Sequence, residues 1–369
     1  MLLPLVHLYG PGVWRQEEEV LMDVVALPLP PSLRSKLQAA GYSTIDGSIS
    51  PVQLARDVSI THEEALGIIK LVPSFNSTRI GFVSSGSADF GGQSAWDLLR
   101  NEKARRRIVT SCQELDSILG GGVCTKEMTE ICGVPGVGKT QLGIQLAINV
   151  QIPISLGGLG GHAVYIDTEG SFMVERAVQM TESRVNELMK KASVDSQLKV
   201  NLENLKREVN VDHFLSHIYY FRIHDATEEV AVINSMEKFM VDHSEVRLIV
   251  IDSVTFHFRQ GFDDMALRTR LLSTLSQKLM ALAQKHDLAV VVVNQVTNKV
   301  TSEGLEVVPA LGESWSHACT NRLILYWNDG QRLAYLFKSP SLPNATAAYD
   351  VSSRGITDAA YSYKKAKYT

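Results

Sequence analysis

Three absences bound this sequence. It has four cysteines, Cys112, Cys124, Cys132 and Cys319, and no two of them stand as C-x-x-C. Three lie in apolar contexts, so they read as small buried hydrophobes in a reducing compartment, not as disulfides or zinc ligands. There is no long apolar run: nothing approaches the roughly 20 residues of a membrane span. The opening Met1-Leu-Leu-Pro-Leu-Val-His-Leu8 has no basic stretch before it and is broken by Pro4 and His7, which makes it a poor signal peptide. There is no basic excess either. A formal net charge of −4 excludes a generally basic nucleic-acid coat and confines any DNA contact to local patches.

What is present is ordinary in bulk and specific in detail. The 369 residues are 45% hydrophobic and 21% charged, enough chain for two domains and one large core. Gly133-Val134-Pro135-Gly136-Val137-Gly138-Lys139-Thr140 is a complete G-x-x-x-x-G-K-[ST] loop. An apolar run, Met128 to Cys132, leads into it as a strand. Leu142, Leu146 and Val150, spaced by four, lead out of it as a helix. Such a loop turns backbone N–H groups around a triphosphate at a helix N-terminus. Lys139 reaches the β- and γ-phosphates and the Thr140 hydroxyl ligates Mg²⁺, so the predicted cofactors are ATP and Mg²⁺.

The rest of the chain divides around that motif. Residues 1–19 are an extension of uncertain role. Residues 20–72 predict a small helical, helix-hairpin-helix-like domain. Ser32 is placed to cap a first helix that stops at Gly41, and helices follow at about Pro51–Asp57 and Thr61–Leu71. Residues 73–107 predict a linker carrying an oligomerisation segment, and its Arg105-Arg106-Arg107 reads as a solvated charge run. From 108 to 369 buried strands alternate with helices. The strands are Met128–Cys132, Ala163–Asp167, Ile218–Arg222, Val246–Asp252, Leu288–Asn294, Arg322–Trp327 and Leu333–Lys338. The wholly apolar ones suit a sheet covered on both faces. The predicted fold is α/β, a doubly wound, mostly parallel sheet with a small all-α N-terminal domain. Ligands are expected at the carboxyl ends of its strands.

Two carboxylates end such strands. Asp252 closes Leu248-Ile-Val-Ile-Asp252 and is placed to hold Mg²⁺, partly through water. Glu169, in Asp167-Thr-Glu-Gly170, is the candidate base for water attacking the γ-phosphate, with Asp167 a local hydrogen-bond partner. Gln295, at the end of the next strand, is placed to sense the γ-phosphate and pass its state to the following loop.

These motifs, in this order, resemble the RecA-type DNA strand-exchange recombinases. The lead-in Glu114-Leu-Asp-Ser-Ile-Leu-Gly-Gly-Gly122 resembles their eukaryotic branch. Within it, Leu215-Ser-His-Ile-Tyr-Tyr-Phe-Arg222 and Ala310-Leu-Gly-Glu-Ser-Trp315 resemble a paralogue of the Rad-fifty-one group. The resemblance implies a RecA-type ATPase core in which Gln141 belongs to the ATP loop and Arg176 stacks on the adenine. It makes Phe256 to Arg270 a first DNA-binding loop and Val296 to Leu311 a second, with Arg259, Arg270 and Lys299 as candidate DNA contacts. It makes His317 the link from nucleotide to DNA loops, and puts Lys338 where a neighbouring protomer's ATP is covered.

The departures limit what the resemblance implies. Asp263-Asp264 stands where the active recombinase carries an arginine in its first loop, and should repel phosphate. Gly92 replaces the aromatic anchor of the self-assembly motif three residues before Ala95, and cannot fill an aromatic pocket. Ser59 replaces a hairpin glycine. Tyr363-Lys-Lys-Ala-Lys367 is a weak basic tail. The implied function is a weak, DNA-dependent ATPase that assists recombination repair of double-strand breaks and stalled forks. It would act in hetero-oligomers with other recombinase paralogues, on the main recombinase filament and on single-stranded and branched DNA, in the nucleus with a cytoplasmic pool and no membrane contact. The alternatives are a scaffold in which ATP only stabilises subunit interfaces, and an autonomous strand-exchange enzyme.

Overall fold

The computed structural model describes residues 22–70 apart from 26, 28 and 46–48; 94–194; 202–301 apart from 260, 261 and 263; and 304–359. Residues 1–19, Gly92 and most of its linker, Asp263 and the basic tail lie outside them. The chain divides into two compact units, Met1–Gly92 and Gln93–Thr369.

In the first unit, helices Pro31–Ala39, Pro51–Val58 and His62–Lys70 close over Leu27, Leu37, Leu54 and Ile68. Two short strands, β1 (Met22–Asp23) and β2 (Thr44–Ile45), pair antiparallel beside them. Ser32 does not cap the first helix. Pro31 already occupies its first turn, where proline's fixed φ favours helix entry, and Ser32 falls inside. The third helix has a reciprocal capping box: Glu64 N donates to Thr61 Oγ1 at 3.2 Å, and Thr61 N donates to Glu64 Oε2 at 2.8 Å. Ser59 ends the second helix at φ 53°, a left-handed conformation that glycine would adopt at less cost.

The second unit is a ten-stranded sheet preceded by a small ribbon, β3 (Arg107–Ile108) with β4 (Val123–Cys124). The large sheet contains β5 (Met128–Gly133), β6 (His162–Asp167), β7 (Ile218–Arg222), β8 (Val246–Asp252), β9 (Ala289–Thr301), β10 (Gly304–Pro309), β11 (Asn321–Asn328), β12 (Gln331–Lys338), β13 (Ala345–Ser352) and β14 (Gly355–Asp358). Its order is β14-β13-β12-β11-β5-β9-β8-β6-β7, with β10 hairpinned onto β9. From β11 to β7 every neighbour is parallel; β12, β13, β14 and β10 join antiparallel. Alternate side chains of the central strands enter two cores. Tyr165, Val250 and Val291 pack with the helix Lys139–Asn149. Ile166, Ile251 and Val292 pack with helices Ala226–Asp242 and Met265–His286. Both faces are therefore covered, which is why these strands carry almost no polar residues.

Several local expectations are overturned. Arg105, Arg106 and Arg107 are not a solvated run. They bind Glu127 Oε1 at 2.6 Å, Asp287 Oδ2 at 2.7 Å and the Leu119 carbonyl at 3.0 Å, pinning the start of the core. The expected second loop is a β-hairpin, because β9 continues to Thr301 and returns as β10. Much of the expected first loop is helical, at Thr255–Arg259 and from Met265 onward. Asp264 has a structural use: its Oδ1 accepts from Ala266 N at 2.8 Å and Leu267 N at 3.0 Å as the helix N-cap. The strands β13 and β14 have no counterpart among the expected elements.

Candidate active site

Strand register brings the chemistry to one level. Gly133 on β5 sits beside Gln295 on β9, and Asp167 on β6 sits between Asp252 on β8 and Arg222 on β7. These are the carboxyl ends of adjacent parallel strands, where helix N-termini and loops open to a ligand. β9 lies between β5 and β8, so Gln295 stands between the phosphate loop and Asp252.

The loop itself needs its glycines: a Cβ on Gly133 would come 2.3 Å from the Leu325 carbonyl oxygen. Gly136 and Gly138 have φ 77° and 117°, and a Cβ on Gly138 would come 3.1 Å from Val351. Tyr349, buried on β13, donates to the Val137 carbonyl at 2.9 Å and holds the loop from below. Lys139 Nζ is folded onto the loop, donating to the carbonyls of Gly133 at 2.8 Å and Val134 at 3.0 Å. Burial lowers the Lys139 pKa, and the nearby Asp252 and Glu169 carboxylates oppose that shift.

Asp252 is almost fully buried, which raises its pKa; the Thr140 and Tyr165 side chains bond to it and pull the pKa back down. Tyr165 Oη donates to Asp252 Oδ2 at 2.9 Å, and Ser171 Oγ lies 3.4 Å from the same oxygen. Glu169 is exposed on the loop after β6. Its Oε1 accepts from Ser253 Oγ at 2.5 Å and from Gln295 Nε2 at 2.8 Å. Asp167 anchors that loop. Its Oδ1 accepts the N–H of Glu169, Gly170 and Ser171, while Oδ2 accepts that of Phe172 and the Tyr220 hydroxyl.

The residue types fit a magnesium nucleotide. Among the described residues no three His, Cys, Asp or Glu side chains converge to hold a metal on their own. What the site offers is one buried carboxylate with a hydroxyl against it. That suits Mg²⁺, which keeps most of its waters and takes the rest of its ligands from phosphates. Thr140 and Asp252 would hold it.

Of the other candidates, Arg176 and Arg259 touch the edge of the site and the rest lie apart. Arg176 Nε donates to Gln141 Oε1 at 2.6 Å, and its Nη2 and Nη1 to the Ser352 and Ser353 carbonyls at 2.5 and 3.0 Å, which fixes the guanidinium plane beside the loop helix. Arg259 is exposed but bonded inward, Nη1 to Gln295 Oε1 at 2.8 Å. Arg270 is exposed on the helix Met265–His286. Lys299 pairs with Glu306 in the hairpin; its side chain lies outside the described set. His317 is exposed in the last turn of the helix Gly312–Ala318. Lys338 pairs with Arg322, which pairs with Glu130, three residues before Gly133. It therefore sits about 10 Å down the sheet from the chain's own phosphate loop, and its Nζ donates to the Ser316 and Cys319 carbonyls at 2.8 and 2.6 Å. Sequence reading missed Tyr165, Ser171, Ser253 and Tyr349. Only Tyr165 carried a signal, a phenol inside a buried strand whose hydroxyl must find a partner.

A strand–loop–helix whose loop passes into the helix at Lys139 and Thr140, with β9 inserted between the strand before the loop and the one that ends in Asp252, defines a RecA-type phosphate-loop ATPase core. The chain belongs to the Rad51 family, whose model matches residues 101–359. It is 43% identical over 342 residues to the DNA repair protein RAD51 homolog 3 of Cricetulus griseus, covering 92% of each chain. It is 42% identical over 275 residues to the protein of the same name in Dictyostelium discoideum, covering 74% of this chain and 71% of that one. The DNA repair and recombination protein RadA of Aeropyrum pernix is 31% identical over 349 residues, 93% of this chain and 99% of its own. No helix among the described residues is long and apolar enough to cross a membrane.

Proposed function

We propose that this chain is an ATP- and DNA-binding paralogue in recombinational DNA repair, with weak ATPase activity. It works in hetero-oligomers with other recombinase paralogues and supports assembly of the main recombinase filament, chiefly in the nucleus. The observation that carries the reading is the convergence of Lys139, Thr140, Glu169, Asp252 and Gln295 at one end of neighbouring strands. The names of its relatives, DNA repair proteins in each case, supply the process.

The residues divide the work. Lys139 leaves the loop carbonyls for the β- and γ-phosphates when nucleotide enters. Thr140 and Asp252 would hold Mg²⁺, which would supply charge neutralisation to the phosphates. Glu169 has Oε1 taken by Ser253 and Gln295, which leaves Oε2 to accept a proton from water. Gln295 touches Glu169 on one side and Arg259 on the other, so a γ-phosphate that draws the Gln295 amide also disturbs the arginine. Gly92 and Asp264 favour an assisting role over autonomous strand exchange: the first lacks the aromatic of a self-assembly anchor, and the second puts a helix cap where a phosphate contact would be.

The deciding experiment purifies the chain with its stoichiometric partners from native extract, with and without ATP, and measures DNA-stimulated ATP hydrolysis of that assembly. ATP-dependent partner retention with slow hydrolysis supports the reading. Extended self-filaments on DNA, or assembly indifferent to ATP, overturn it.

A further inference from the structure

Tyr165 is the only residue of β6 before Asp167 whose side chain both enters the core and carries a hydroxyl. It is wholly buried. A phenol in that position costs stability unless its hydroxyl is bonded. The partner is Asp252 Oδ2, at 2.9 Å. The slot that admits the phenol is made by a second element. Gly143, one turn into the helix after the phosphate loop, has no side chain to place there. A Cβ on it would lie 3.3 Å from the Tyr165 hydroxyl, 3.6 Å from Tyr165 Cε2 and 3.2 Å from Val250 Cγ1. The ring is backed by Phe172, with centroids 4.7 Å apart, and Phe172 follows Ser171, the second donor to Asp252 Oδ2.

We propose that Tyr165 is a positioning residue for the magnesium-binding carboxylate: seated in the gap left by Gly143, its hydroxyl holds Asp252 Oδ2 and fixes the carboxylate's orientation beside Thr140. The proposal rests on the ATP and Mg²⁺ reading of the site. It extends that reading from the groups that meet the ion to the one that aims them. Partners behind a metal ligand commonly change metal affinity by about 10- to 100-fold when removed.

The test is the affinity of the full-length chain for a fluorescent ATP analogue, measured across a range of free Mg²⁺ and in its absence, alongside thermal melting. Tyr165→Phe keeps the ring and deletes the donor. It should leave Mg²⁺-free nucleotide affinity within about twofold of the parent and raise the Mg²⁺ concentration for half-maximal tightening by about tenfold. Gly143→Ala crowds the hydroxyl from the helix side and should shift the Mg²⁺ dependence in the same direction by a smaller factor. It keeps the question answerable if Tyr165→Phe does not fold. A merely structural role would lower the melting temperature and leave the Mg²⁺ dependence where it was. That result, in whichever variant folds, overturns the proposal while leaving the ATP reading intact. A parent chain that binds no nucleotide overturns both.

Discussion

Arg259 and Gln295 are joined by a 2.8 Å hydrogen bond from Nη1 to Oε1, and Gln295 continues to Glu169 through its Nε2. One side-chain amide thus spans from the segment proposed to meet DNA to the proposed base. The bond also means that Arg259 must leave a partner to grip a phosphate, whereas Arg270 is exposed one helix further on.

The double variant Arg259→Ala with Arg270→Ala should therefore weaken single-stranded DNA binding. It should also make the log–log salt dependence shallower by about 1.4, roughly 0.7 for each lost phosphate contact on a single strand. Fluorescence anisotropy across a salt series measures it. An unchanged slope with the fold intact would show that both arginines serve only the ATPase core.

Lys139→Ala should abolish stable ATP binding, because it removes the principal counter-charge to the β- and γ-phosphates. Glu169→Gln should bind ATP as the parent does and lose hydrolysis by at least about 100-fold, since it keeps shape and deletes the proton acceptor. Filter binding and phosphate release on the two proteins separate the roles. Hydrolysis at the parent rate in Glu169→Gln would remove Glu169 from the mechanism.

Lys338 is the last residue of β12, down the sheet from the chain's own phosphate loop, with its ammonium at the carbonyl end of the helix Gly312–Ala318. Lys338→Ala should leave the chain's own ATP affinity unchanged and weaken ATP-dependent docking to one partner. It should also cost up to about 1 kcal/mol for the lost helix-end charge. Nucleotide titration and co-purification with and without ATP check the first two effects. Loss of the chain's own ATP binding, or docking that ignores ATP, would rule out action in trans.

Asp287 supplies a pH test of the core's entry clamp. Partial burial pushes its pKa up, but the Arg106 hydrogen bond and charge, with Lys126 and Thr125, outweigh burial and hold it below the ordinary value. A depressed carboxylate stabilises the fold above its unfolded pKa, near 3.9, and loses that contribution as pH falls through the folded value. Asp287 has φ 52°, a conformation asparagine also tolerates, so Asp287→Asn isolates the charge. Its melting temperature should fall modestly at pH 7, and the difference from the parent should shrink below about pH 4. A deficit independent of pH would assign the loss to packing.

Local chemistry made much of the candidate site legible in the sequence. Gly136, Gly138, Lys139 and Thr140 lie within five residues, and a loop that wraps phosphate with its own backbone is written in contiguous sequence. Asp252 was equally visible, since a lone acid ending an apolar strand advertises a strand mouth. Buried β-branched runs announced a covered parallel sheet, because only such a sheet hides both faces. Elements without a period stayed hidden. β13 reads Ala345-Thr-Ala-Ala-Tyr-Asp-Val-Ser352 and β14 only Gly355-Ile-Thr-Asp358, neither with a sustained apolar alternation, and the hairpin of β9 and β10 resembles a loop in composition.

What contiguous sequence cannot carry is partnership across distance. Arg106 with Asp287, Arg322 with the buried Glu130, Tyr349 with Val137, and Tyr165 with Asp252 each join segments 85 or more residues apart. A charged or hydroxyl group looks the same in sequence whether water or a buried acid satisfies it. Which groups could meet a nucleotide is legible along the chain, because those act through their own backbone and spacing. What aims them emerges with the packed fold, because burial removes water and leaves each polar atom to find its partner in whatever strand is laid beside it.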